Sequence, residues 1–165
     1  MKVGKILLWL FLVILLGIQF IRPAQNKTSS VSHDDVTTGY HTPVAVQDIF
    51  KRACNDCHSN NTVYPWYANI QPVAWWLNKH IIDGKRHLNF NEFMRYPIAR
   101  QYKKLKETAD LVEKEEMPLT SYTIIHRTAK LSAQEKQLVS NWCDEIRAQI
   151  SSQYPPDSLV AKKGK

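Results

Sequence analysis

Pro43-Val44-Ala45-Val46-Gln47-Asp48-Ile49-Phe50-Lys51-Arg52-Ala53 runs without a break into Cys54-Asn55-Asp56-Cys57-His58. Thr42-Pro43 is a helix-start signal, because proline at a first helical position loses an N–H that has no helical partner anyway. Val46, Ile49, Phe50 and Ala53 then recur at steps of three and four, so they share one face of a helix. An amphipathic helix therefore delivers two thiols and an imidazole, three residues apart and adjacent, to one place on a buried face.

Reading towards the C-terminus, an aromatic-rich loop follows over residues 59–71. Pro72 opens a second helix whose face carries Val73, Trp76, Leu77, His80 and Ile81, with Gly84 expected at its end. A third helix is predicted from Ile98, Tyr102, Leu105, Ala109 and Val112, with lysines and glutamates on the other side, stopping at Glu115-Glu116-Met117-Pro118. The last helix begins at Ser132-Ala133-Gln134-Glu135, a capping box, and continues through Leu138, Val139, Trp142, Cys143 and Ile146. The tail over 151–165 contains Tyr154-Pro155-Pro156 and ends Lys162-Lys163-Gly164-Lys165, and is expected to be disordered and basic. No segment alternates with period two and no repeat is present. The expected fold is all-α, a small domain of about four helices over residues 43–150.

Towards the N-terminus, Lys2 and Lys5 precede an uncharged apolar run from Ile6 to Ile21. That is the pattern of a secretory signal. A cut after Ala24 would place Arg22 at the −3 position, which suits cleavage poorly, and no cysteine just beyond the run offers a lipoprotein acceptor. The expectation is an uncleaved signal anchor over residues 1–21, with a transmembrane helix over about 6–21. Lys2 and Lys5 on one side nearly balance Arg22 and Lys27 on the other, so flanking charge orients the span only weakly. Residues 22–42 are rich in Asn, Ser, Thr and Asp and read as a flexible tether.

The net charge of +7 favours acidic partners or anionic lipid. The basic residues are scattered along helices rather than gathered on a nucleic-acid fold, so no nucleic-acid partner is expected. The three cysteines, Cys54, Cys57 and Cys143, are too few for a disulfide framework.

Cys54 and Cys57, one helical turn apart, are spaced to add across two vinyl groups of a porphyrin, and the histidine that follows is placed to coordinate its iron. A zinc site would need a second Cys or His pair, which the chain lacks. A thioredoxin-like redox pair needs a βαβ context, and a Cys54–Cys57 disulfide would close a tiny loop that stabilises little. The motif thus points to one covalently attached c-type haem, held by Cys54 and Cys57 with His58 on the iron. Such attachment needs reduced thiols and a dedicated ligation system, which bacteria keep outside the inner membrane. The expected location is therefore the inner membrane, single-pass, with the haem domain in the periplasm.

The order of helix, motif, loop, Met-Pro and capped last helix resembles the cytochrome c class. More closely, the chain resembles the bacterial haem-binding domain family with single-haem, membrane-anchored members. The resemblance rests on Cys54-x-x-Cys57-His58-Ser59-Asn60, Tyr64-Pro65-Trp66-Tyr67, Ile70-x-Pro72-Val73, Trp75, His80, Gly84-x-Arg86 and Leu88-Asn89-Phe90. Met117-Pro118 and the final helix complete it, so that it spans about Pro43 to Ile150. It implies haem binding and says little about the reaction.

For the other face of the iron, Met117 is the first candidate. Pro118 biases it to an extended backbone, the cytochrome c resemblance places the methionine ligand at such a Met-Pro, and a thioether favours ferrous iron. The alternative role is a core gap-filler. His80, inward-facing beside Trp76 and Leu77, is the second candidate, against an ordinary buried histidine or a propionate contact. Arg86 and His87 are further propionate candidates. Tyr64, Trp66, Tyr67, Trp75 and Trp76 are expected as crevice walls for a flat macrocycle, or as plain aromatic core. Cys143 reads as a small buried hydrophobe, and His33, His41 and His126 are given no role. The functional expectation is a monohaem electron carrier rather than a catalyst, serving an acidic redox partner. The alternatives are a haem sensor or small peroxidase-like haem enzyme with an open or displaceable sixth position, and a haem-bearing subunit of a larger membrane complex.

Overall fold

A computed structural model describes residues 2–28 and 32–160. In chain order its helices are α1 (Lys2–Ile18), α2 (Val36–Gly39), α3 (Val44–Ala53), α4 (Asn55–His58), α5 (Val73–His87), α6 (Ile98–Glu113), α7 (Thr120–Thr123) and α8 (Ala133–Gln153). Short 3-10 turns lie at Trp66–Asn69, Phe90–Arg95, Arg127–Ala129 and Pro156–Ser158. There is no strand among the described residues, and Lys27 and Asn61 form an isolated β-bridge.

Helical periodicity decides what is buried. α3 buries Val46, Ile49, Phe50 and Ala53, the four residues its spacing selects. α6 buries Leu105, Ala109 and Val112 with Gln101, and lies along α8, which buries Val139, Trp142, Cys143, Ile146 and Ile150. Ser132 and Glu135 form the reciprocal capping box at the start of α8. Phe50 joins these layers, stacked on Phe90 at 4.4 Å and edge-on to Trp142 at 5.1 Å. Each fully buried aromatic or aliphatic side chain of this kind stabilises by roughly 1.5–3 kcal/mol. α5 packs against α4.

The N-terminal segment differs from its expectation. No helix among the described residues is long and apolar enough to cross a membrane, so the expected transmembrane anchor is not supported. α1 has 17 residues, a rise of about 25 Å at 1.5 Å per residue against a hydrocarbon core of about 30 Å. It ends where the chain is tied to the domain. The Gln71 N–H donates to Gln19 Oε1 (2.9 Å), Gln71 Nε2 donates to the Ile21 carbonyl (2.7 Å), and Trp75 Nε1 donates to the same carbonyl (3.0 Å).

The tether expected over 22–42 is also fastened where it is described. The Asn26 N–H donates to Tyr64 Oη (2.7 Å), Asn26 Nδ2 donates to the Ser59 carbonyl (2.9 Å), and Lys85 Nζ donates to Asn26 Oδ1 (2.6 Å). Val36 and Tyr40 belong to the core, and the Met94 N–H donates to the Asp34 carbonyl (2.9 Å). At the other end α8 continues to Gln153 and Leu159 packs against the core, so residues 151–159 are ordered where a disordered tail was expected. Its last five residues, 161–165, lie outside the described residues.

Candidate functional site

α3 hands over to α4 at Cys54, whose carbonyl accepts from the Cys57 N–H (3.1 Å) and the His58 N–H (2.9 Å). This single turn sets the thiols and the imidazole side by side. α5 closes on the turn at Gly84, where a Cβ would lie 2.7 Å from the Cys57 carbonyl oxygen. The sequence expectation made Gly84 the end of the helix. α5 instead continues to His87, and the glycine serves close approach.

That approach fixes His58. Its Nδ1 lies 3.1 Å from the Gly84 carbonyl and 2.9 Å from the Leu88 carbonyl. Both partners are acceptors, so Nδ1 carries the proton and Nε2 is left with a lone pair. Burial holds His58 below the ordinary histidine value, although both carbonyls pull the other way. A neutral imidazole with a defined tautomer and a backbone-anchored ring is the state a metal-binding histidine requires.

Cys54, Cys57 and His58 line one cavity of about 380 Å³. Leu88 and Phe90 extend the wall beyond α5, Leu111 and Val112 belong to α6, and Leu131 and Val139 close the side towards α8. The segment after α6 contributes Met117, Pro118, Leu119 and Tyr122. The volume lies within the range of small-molecule and cofactor sites. The lining also includes polar groups from α5 and α6: His80, Asp83, His87, Lys104, Glu107 and Thr108. Lys104 Nζ donates to Glu107 Oε2 at 2.6 Å. Both thiols are held in the protonated form. Burial first, then the neighbouring Cys57, pushes Cys54 up to about 12; burial, then Asp56, pushes Cys57 up to about 11.

The seven residues singled out from sequence divide cleanly. Cys54, Cys57, His58, His80 and Met117 line this cavity; Trp66 and Trp76 do not, being 76% and 47% exposed. His80 is held by its Nδ1 at 2.8 Å from the Trp76 carbonyl. Of the propionate candidates, His87 lines the cavity and Arg86 does not. The expected aromatic walls are elsewhere because their polar atoms serve other ties. Tyr64 and Trp75 fasten the N-terminal segment, and Tyr67 Oη lies 2.6 Å from His126 Nε2. Aliphatic residues and Phe90 take their place. Cys143 is fully buried, as expected.

Met117 is presented by an abrupt stop to α6. Glu115 adopts φ 60, the left-handed region, and the N–H groups of Glu116 and Met117 both donate to the Leu111 carbonyl (2.9 and 3.1 Å). Sequence reasoning missed Tyr122, Lys104 and Leu111. Leu111 is one step off the stripe used to read α6, and a lone tyrosine among Thr, Ser and Ile carries no signal of its own.

This donor set fits an iron porphyrin. Two protonated thiols lie one turn apart, a neutral imidazole keeps a spare lone pair, a thioether stands in the same cavity, and the walls are largely apolar. A family model described as a haem-binding domain matches residues 13–145 of the 165. The chain belongs to the haem-binding domain family. The matched region starts inside α1 and takes in residues 22–42, in keeping with the fastening of that segment to the haem-binding domain. No curated protein and no solved structure matches the chain.

Proposed function

We propose that this haem-binding domain holds its haem covalently, as a c-type group, and passes single electrons. The observation that carries this is the delivery of Cys54, Cys57 and His58 by one helical turn into one largely apolar cavity, with His58 Nδ1 already spent on two backbone carbonyls. Each thiol would add across a vinyl group, the sulfur bonding one carbon and the thiol hydrogen going to the other, with no net oxidation. When bound, haem supplies a one-electron ferric/ferrous couple. His58 Nε2 would be one axial donor and the Met117 sulfur the other, a pair that raises the potential and suits transfer over catalysis. Leu88, Phe90, Leu111 and Val139 would keep water from the ring. The net charge of +7 favours an acidic redox partner, and the requirement for thioether ligation favours the periplasm.

The test is to make the protein in a host with c-type maturation, denature it, and stain the electrophoresed chain for haem. Stain should stay with the chain and vanish in the Cys54→Ala/Cys57→Ala variant; haem that leaves the denatured wild-type chain overturns covalent attachment. Electron transfer predicts low-spin iron in both oxidation states, with a sulfur-to-iron charge-transfer band in the ferric protein that Met117→Ala abolishes.

A further inference from the structure

The segment that carries Met117 is held at both ends and loosely between. At its start the Met117 N–H donates to the Leu111 carbonyl (3.1 Å). Five residues on, Tyr122 Oη donates to Asp56 Oδ2 (2.7 Å), and the other oxygen of that carboxylate accepts from the Val63 N–H (2.9 Å). Asp56 is the residue just before Cys57 in the attachment motif. Burial, then the bond to Asp56, pushes the Tyr122 hydroxyl far above its ordinary range, so it stays a donor. The Tyr122 ring stacks on His126 at 4.3 Å, and His126 meets Tyr67 Oη. Among the described residues these two contacts are the polar side-chain ties between Met117–His126 and the rest of the molecule. The outer side is bare, with Ile124 68% and Ile125 58% exposed. A segment with few buried contacts opens readily unless a specific bond holds it.

We propose that the Tyr122–Asp56 hydrogen bond is a latch between the two halves of the site, and that Tyr122 is the positioning residue for Met117. The latch joins the motif that supplies His58 to the segment that supplies the thioether, so it sets how easily an external ligand replaces Met117. Its ligand-exchange readout rests on Met117 as the axial donor proposed above; its backbone readout does not.

The experiment compares haem-loaded wild type, Tyr122→Phe and Asp56→Asn for the rate of carbon monoxide binding to ferrous protein. Hydrogen–deuterium exchange over residues 117–126 is followed in the same samples. Tyr122→Phe loses the hydrogen bond to Asp56 altogether and should bind carbon monoxide about 10- to 100-fold faster, with protection of 117–126 lost. Asp56→Asn keeps both contacts, its Oδ1 accepting from Val63 and its Nδ2 donating to the Tyr122 oxygen. It should stay within about threefold of wild type. Wild-type behaviour in Tyr122→Phe, or Asp56→Asn as fast as Tyr122→Phe, overturns the latch. If wild type lacks a Met117-dependent sulfur-to-iron band, the ligand assignment fails, and amide exchange alone decides: unchanged protection in Tyr122→Phe then overturns the latch, and lost protection upholds it.

Discussion

A β-carbon on Gly84 would lie 2.7 Å from the Cys57 carbonyl oxygen and 3.0 Å from Cys57 Cβ, both rigid parts of the α4 turn. Gly84→Ala should therefore push α5 off α4 and cost about 1–3 kcal/mol, read as a lower Tm of the haem-free protein. Gly39→Ala should cost less, since its Cβ would meet only the flexible end of Met94. The thiols make a second prediction. With burial pushing Cys54 up to about 12 and Cys57 up to about 11, haem-free protein should alkylate slowly at pH 8, Cys57 ahead of Cys54. Cys143, pushed up by burial as well, should react only on unfolding. These are acids with raised folded values. Their contribution to stability is full below the unfolded thiol range and is lost as pH rises through about 11 to 12. Peptide mass mapping against pH checks both points. At this scale the grouping of Cys54, Cys57 and His58 was legible, because residues one helical turn apart meet on one cavity wall. The role of Gly84 was not, since nothing local distinguishes a glycine that ends a helix from one that lets a helix come close.

Helix faces and caps are where local pattern served best. The stripes of α3, α6 and α8 follow from steps of three and four, and Ser132 with Glu135 announced the start of α8. Ser132→Ala should cost about 1 kcal/mol in denaturant unfolding. The Glu135 carboxyl is held below the usual glutamate range, first by the Ser132 backbone N–H, against a smaller effect of burial, and also by Arg52. Its contribution is therefore present above about pH 4.5 and lost as pH falls through the lowered value. Glu135→Gln, which can still accept from that N–H, should flatten this acid limb of the stability profile. Glu115, at φ 60, holds a backbone conformation that glycine adopts freely. Glu115→Gly should raise the Tm slightly, the relief of about 1 kcal/mol outweighing an ion pair with Lys136 whose Glu115 side is largely exposed. The aromatic loop was the element read least well. Tyr64 serves Asn26, 38 residues away in sequence, and no periodicity reports a partner at that distance.

The same long-range ties explain the largest error, at the N-terminus. Counting apolar residues from Ile6 to Ile21 takes no account of the ties just past the end of α1, where Gln71 and Trp75 meet Gln19 and Ile21. α1 buries no residue of its own, so removing residues 2–16 should leave the Tm within about 2 °C by calorimetry. Replacing Val36 by Asp should be far more damaging, since Val36 is among the most buried side chains in the core. One further contact spans almost the whole domain: Trp142 Nε1 donates to the His41 carbonyl at 3.1 Å, across 101 residues. α8 is also the helix against which α6 lies, and Val139 is one wall of the cavity. The pocket thus lacks its Val139 wall on a ribosome-bound chain until α8 has emerged. Cys54 and Cys57 leave the tunnel before α8 does, so both thiols stand exposed on an unfinished polypeptide before the cavity that buries them is complete.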